Sequence, residues 1–253
     1  MRILGFDTAT RATAVALCDF DVAGSTPDAG PNPDASLSGA VELEARDDPR
    51  PGERPRHATR LMASIVELLH RAGMEWDEVD RIAVGVGPGS FTGLRIGVAT
   101  ARALGQARAI ELVAVSTLQS LALGARPHAL SAGTDAVLAV LDARRGEVFA
   151  AGWSLEMQPL LAPRALTPQA LAELLGELPA PVLTVGDGAI QFRSTLGCSG
   201  EQIPEDDSEL HRVTAISHCR LARTARASAP DEILPDYLRL PDAEIARRAA
   251  GPR

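Results

Sequence analysis

Asp7, Thr8 and Thr10 place one acid and two hydroxyls in the turn of ILGFDTATRATAVAL, between two short apolar runs. Such a turn can orient a phosphate or a metal-bound water. The same side chains can also bond their own backbone, and spacing alone favours that. Asp142 occupies a comparable turn in LDARRGEVF, where Arg144 and Arg145 could hold a phosphate or a partner's carboxylate, or stand in solvent. The stretch GVGPGSFTGLRIG, Gly85 to Gly97, carries five glycines in thirteen residues. It follows an apolar run and opens a helix, so Gly87, Gly89 and Ser90 join Asp7, Thr8, Thr10 and Asp142 as candidate phosphate-binding residues. As a dinucleotide signature it is weak: it is not G-x-G-x-x-G, and Pro88 removes an amide donor. GDGA, Gly186 to Ala189, reads as a turn after a strand.

Other chemistries lack their parts. All 25 basic residues are arginine, which excludes a phosphate-cradling lysine or a Schiff base. His57 and His70 fall about 140° apart on one helix. His211 and His218 would share a face of a final helix, but two turns separate them by about 10 Å, so no metal site is expected. No histidine pairs along the sequence with a serine or cysteine nucleophile. Cys18, Cys198 and Cys219 are scattered, odd in number and without metal spacing, as expected of a reducing, cytoplasmic setting. No apolar run approaches the ~20 residues of a membrane span, and the N-terminus lacks a signal-peptide layout. Net charge is −8 and aromatics are 3%, a poor equipment for gripping nucleic acid directly.

The elements that position these residues alternate. Strands are expected at Arg2–Phe6, Thr13–Cys18, Gly39–Ala45 and Arg81–Gly87, with a Pro/Gly/Ser/Asp-rich loop at about 20–38. A helix is expected over His57–Ala72, stopped by Gly73. Its apolar residues Leu61, Met62, Ile65, Val66, Leu68, Leu69 and Ala72 span an arc of roughly 160°, wider than the ~100° stripe of a one-sided helix. It should be covered on two sides. A second helix starts at Phe91 behind the N-cap Ser90. Gly93, Gly97 and Ala101 recur every four residues along it, a face that admits another backbone. Beyond it come strands at Leu112–Val115, Ala136–Leu141, Glu147–Trp153 and Val182–Val185, with helices from Ser116, from Pro168 to about Leu178, and over about Arg212–Ala227. This order predicts an α/β fold in two lobes. The N-terminal lobe covers 1–110, joined by the C-terminal helix at about 212–228. The second lobe covers 111–211, and a turn-like tail covers 229–253.

Together with RHATRLMASIVELL, GVGPGSFTGLRIGVATARALG, VSTLQSLA and PDYLR, the two acid-bearing turns resemble the TsaB (YeaZ) family of bacterial tRNA modification, in order over nearly the whole chain. The loop at about 20–38 is a departure from relatives. The resemblance implies the actin-like (ASKHA, ribonuclease H-like) fold of two related lobes with mixed sheets flanked by helices, and places Asp7 and Asp142 at former phosphate-loop positions. It implies a non-catalytic subunit for N6-threonylcarbamoyladenosine formation. Such a subunit binds and activates the TsaD transferase, works with the TsaE ATPase, meets tRNA mainly through its partners and homodimerises when alone. No catalytic residue and no cofactor of its own are implied, with ATP or ADP at the complex interface as a candidate ligand. TsaD carries H-x-x-x-H on the first long helix, whereas this chain has His57 followed by Leu61, and one imidazole makes no metal site. The two helices, through His57, Leu61, Ile65, Leu68, Gly93, Leu94, Gly97 and Ala101, are the expected partner and dimer interface. The alternatives are an ATP-dependent enzyme built on Asp7, Thr8 and Asp142, or a glycoprotease-like peptidase.

Overall fold

The computed structural model describes residues 1–20, 41–50, 52–197 and 202–239. Most of the long loop expected before the third strand, Cys198 and the tail beyond residue 239 lie outside the described residues.

The first lobe is built from β1 (Arg2–Asp7), β2 (Thr13–Asp19), β3 (Val41–Asp47), α1 (His57–Ala72), β4 (Arg81–Gly87), α2 (Phe91–Arg108) and β5 (Glu111–Ser116). Its sheet runs β3-β2-β1-β4-β5. The first three strands are antiparallel neighbours, and β4 and β5 continue parallel to β1. The central strands are apolar at nearly every position because both faces are covered. Leu4, Phe6, Val15, Leu17, Ile82 and Val84 face α1 and α2. Ile3, Ala14, Ala16, Cys18 and Ala83 face the opposite side.

The second lobe holds α3 (Thr117–Ala132), β6 (Ala136–Arg144), β7 (Glu147–Ser154), β8 (Pro159–Leu166), α4 (Pro168–Leu175), β9 (Val182–Val185), and the short α5 (Asp187–Gln191) and α6 (Arg193–Leu196). Its sheet runs β8-β7-β6-β9, with β9 parallel to β6. The order repeats that of β3-β2-β1-β4. The repeat extends to single residues: Gly87, the last residue of β4, has φ +115° and Gly186, directly after β9, has φ +113°. Two related lobes with mixed sheets flanked by helices form the actin-like fold expected.

Two boundaries and one strand differ from expectation. β5 pairs with β4, so the first sheet extends to Ser116 rather than ending at residue 110. The final helix, α7, spans only Ala215–Ala222 instead of about 212–228. Thr214 is extended and caps it by accepting the Ser217 amide, and after Ala222 the chain leaves to pair Ser228 with Leu112 on β5. β8 was not anticipated because its pattern does not alternate and it carries Pro159 and Pro163, as edge strands do.

α7 packs on β1, β2 and β4 and also on α3, which in turn packs on β6. These two helices form the layer between the sheets. Glu44 of β3 accepts the Ala215 amide at 2.7 Å, and Glu42 takes both the Nε and an Nη of Arg220. α7 sits so close to β1 that a Cβ on Gly5 would lie 2.7 Å from both the Ala215 carbonyl and Cys219 Sγ. Gly5→Val should therefore destabilise the chain by about 1–3 kcal/mol or more. Gly176→Ala, where the nearest atom is 3.5 Å away, should stay within about 0.5 kcal/mol of wild type. Urea unfolding of both variants checks this, and equal midpoints would mean that α7 can move aside.

Candidate functional site

Asp7 ends β1 and is 1% exposed. Its Oδ1 accepts the Ala9 amide at 2.7 Å. Its Oδ2 accepts the Thr117 hydroxyl at 2.8 Å and lies 3.1 Å from His218 Nε2. A carboxylate only accepts, so Nε2 carries the proton in this contact. The imidazole continues to Ser120, whose Oγ is 2.8 Å from Nδ1 and 3.1 Å from the Thr214 carbonyl. Burial alone would push the Asp7 carboxyl up. The hydrogen bond and charge of His218, with Thr117 and Ala9, hold it below the usual aspartate range. Gly85 makes room for it: a Cβ there would lie 1.9 Å from Asp7 Oδ2.

Ser120, His218 and Asp7 thus line up in the sense of a hydrolase triad, a pairing with no signature along the sequence. Ser120 and His218 are 0% exposed and Asp7 1%. A nucleophile needs contact with its substrate, and these side chains have no face open to one. The arrangement speaks for a structural network and against the peptidase reading. It speaks equally against an ATP-dependent enzyme built on Asp7, whose carboxylate is fully engaged inside the chain.

The rest of the candidate phosphate set divides. Thr8 is buried and its hydroxyl donates to the Gly93 carbonyl at 2.8 Å. Gly87 lies under the Asp236 carbonyl, 2.9 Å from where its Cβ would be. The Ser90 amide donates to the Ala9 carbonyl at 2.6 Å, and a Cβ on Gly89 would sit 2.4 Å from that same oxygen. The two loops that would cradle a phosphate are closed against one another. Thr10, Gly89, Ser90 and Asp142 line an inter-lobe cleft of about 430 Å³, together with Arg11, Phe91, Thr92, Arg144 and Asp187. Asp142 repeats the turn of Asp7, accepting the Arg144 amide at 2.9 Å, but it pairs with the exposed Arg144 guanidinium instead of a buried imidazole.

Residues 228–239 form a strap across this cleft. Ile233 is buried in the core of the first lobe, and the Asp236 amide donates to Val86 at 2.7 Å. Leu238 packs on the core of the second lobe, and Arg239 donates to the Ala143 carbonyl at 2.8 Å and to Glu147 at 3.2 Å. Between these anchors Tyr237 packs its ring against Phe91, centroids 5.2 Å apart. The sequence marks the segment as turn-like and, through PDYLR, as part of the family resemblance, but not as a strap.

The expected interface residues need correction. His57, Leu61, Ile65, Leu68, Gly93, Leu94, Gly97 and Ala101 are all buried inside the first lobe. A Cβ on Gly93 would lie 1.9 Å from the Thr8 carbonyl, and one on Gly97 2.5 Å from Thr8 Oγ1. The small stripe of α2 therefore admits the chain's own β1–β2 turn, not a partner. The residues left outward include Ala58, Met62 and Val66 on α1, beside the polar Arg60, Glu67 and Arg71, and Arg95, Ala99 and Ala103 on α2. Met62 is 40% and Val66 54% exposed, so the wide apolar arc of α1 has only one side covered within the chain.

His57 Nδ1 lies 2.9 Å from Thr13 Oγ1, and burial pushes the imidazole pKa down. The His211 ring accepts the Gly186 amide at 3.0 Å from its position in a 3₁₀ turn, off any shared helix face with His218. Among the described residues no three His, Cys, Asp or Glu side chains converge as a metal site requires. No helix among them is long and apolar enough to cross a membrane.

Residues 52–161 match the family described as TsaD, tRNA N6-adenosine threonylcarbamoyltransferase. The tRNA threonylcarbamoyladenosine biosynthesis protein TsaB of Escherichia coli (strain K12) is 32% identical over 193 residues, covering 74% of this chain and 72% of that protein. The protein of the same name from Bacillus subtilis (strain 168) is 28% identical, over 76% of this chain and 83% of its own length. A crystal structure from Pseudomonas aeruginosa, of an uncharacterized protein with similarity to peptidase YEAZ, is 27% identical. It superimposes with a TM-score of 0.69 over 94% of this chain and 99% of that one.

Because the Asp7 carboxyl titrates below its unfolded value of about 4, its contribution to stability is complete above that value. It is lost as the pH falls through the lower folded value. Asp7→Asn should cost about 3–5 kcal/mol at pH 7 and remove that part of the acid-driven loss below about pH 4. Urea unfolding of both proteins across pH 3–7 measures this, and matching curves would show that the network is not what holds the lobes.

Proposed function

The chain belongs to the TsaB (YeaZ) family, and on that footing we propose that it acts in threonylcarbamoyladenosine formation on tRNA, as the non-catalytic subunit that binds and activates the TsaD transferase. The observation that favours a partner role is the face of α1 left outward with Met62 and Val66 on it, beside the Arg95–Ala99–Ala103 stripe of α2. Helices with a second apolar side and small neighbours are suited to pack as a bundle with helices of another subunit. The same face serves a homodimer when the transferase is absent.

In this reading the chemistry lies with the partners. The TsaE ATPase turns over nucleotide, and any ATP or ADP held jointly sits at an interface between subunits rather than on Asp7. The net charge of −8 supports tRNA contact mainly through the other subunits. The work of this chain is to present a fixed surface, which its sealed core and strapped cleft suit it to do.

The test is reconstitution with purified partner enzymes, tRNA, threonine, bicarbonate and ATP, quantifying threonylcarbamoyladenosine with and without this chain. Product that forms equally well without it overturns the proposal. Val66→Arg combined with Met62→Asp should weaken transferase binding tenfold or more and lower product accordingly. Both positions are exposed, so the melting temperature should stay within a few degrees. Undiminished binding would move the docking site off α1.

A further inference from the structure

Arg95 lies on the outward stripe of α2, one turn from Ala99, and its side chain is held in an unusual way for an exposed arginine. Its guanidinium carbon stacks 3.9 Å above the centroid of the Phe91 ring, one turn earlier on the same helix. Its Nε donates to the Tyr237 hydroxyl at 3.2 Å. Tyr237 is tilted against Phe91 by 33° and is carried by the strap, which Arg239 anchors to the second lobe. Stacking and the Nε bond fix the plane of the fork, while the two Nη groups meet no acid among the described residues. This is notable in a chain with 33 acidic and 25 basic residues, where Arg2, Arg46, Arg56, Arg81, Arg193 and Arg220 all reach a carboxylate.

A planar guanidinium with two outward amino groups matches an oxyanion bidentately, and immobilisation before binding lowers the entropic cost of the contact. Carboxylates and phosphates share that geometry. The net charge of −8 disfavours approach of a nucleic-acid backbone. Arg95 also continues the stripe of Ala99 and Ala103, so it meets whatever covers α2. We propose that Arg95 is a preorganised receptor for a carboxylate of the protein partner that docks on α1 and α2, with Phe91 and Tyr237 as the residues that position it. The proposal rests on the docking role above and adds to it a charged, orientation-specific contact at one end of an otherwise apolar and small face. It also gives the strap a second task, since Tyr237 reaches Arg95 only while the strap lies across the cleft.

Titration calorimetry of the full chain against its TsaD transferase tests this. Arg95→Ala should weaken binding by about ten- to hundredfold with an unchanged melting temperature. Arg95→Lys should recover little, because an ammonium is a point charge without the fork. Tyr237→Phe, which keeps the ring and removes the hydroxyl, should weaken binding severalfold. Arg95→Glu should be rescued by reversing one acidic residue of the transferase to arginine. Arg95→Ala that binds like wild type, while the Met62→Asp, Val66→Arg variant does not, overturns this inference and leaves the docking role standing. Full affinity in Arg95→Lys, or failure of every charge reversal to rescue, overturns it as well. If Arg95→Ala instead weakens retention of tRNA and leaves transferase affinity intact, the oxyanion is a phosphate and the assignment is wrong. A wild-type chain that does not bind the transferase at all removes the docking role and this inference together.

Discussion

The buried contact between Asp7 and His218 is the constraint on which the arrangement depends. One carboxylate takes the amide of its own turn, the first hydroxyl of α3 and the imidazole of α7. These elements belong to the first sheet and to the helical layer between the sheets. A buried charge with a single missing partner is costly, so the position of each element limits the others. Gly85 has no side chain because the carboxylate occupies that space, and Gly5 has none because α7 does. The β1–β2 turn is then placed where Thr8 reaches into α2 and Ala9 closes on Ser90. A constellation suited by type to phosphate chemistry here joins the first sheet to the helical layer.

The two lobes show the same plan under different demands. Asp7 ends β1 and Asp142 lies two residues before the end of β6, and each accepts the amide two residues on. Asp7 is sealed by an imidazole, whereas Asp142 faces the cleft beside Arg144. Gly87 and Gly186 keep nearly the same φ, yet the helix after the first is 18 residues long and the one after the second only 5. The two lobes share the strand framework and differ in what the turns and following helices carry.

Much of this was legible in the chain. Continuous apolar runs marked the inner strands, which are covered on both faces, Gly73 and Ser90 marked helix ends, and the paired acid turns pointed to two related lobes. Three things escaped for physical reasons. A helical wheel gives the width of an apolar arc but not which part meets the chain's own sheet, so the small stripe of α2 was assigned to a partner when Thr8 already fills it. β8 was hidden because an edge strand with prolines need not alternate. The link from Ser120 through His218 to Asp7 joins residues 98 and 211 positions apart, and nothing local to any of them announces it.

The strap carries a consequence for how the surface can be used. Two-lobed folds of this kind have a hinge available, and hinge closure around a ligand is a common switching device. Here residues 228–239 lie across the inter-lobe cleft, with Ile233 sunk in the core of the first lobe, Leu238 packed against that of the second, and Arg239 clasping the far hairpin. A molecule tied in this way has one principal shape in which to be recognised. For a partner docking as proposed, affinity would not be diluted by time spent in an incompetent form, the fraction that otherwise scales an apparent dissociation constant. For the same reason it has little capacity to report, through its own lobes, what happens on its surface. In the partner role proposed above it would act as a template, and any change of state would fall to the molecules docked on it.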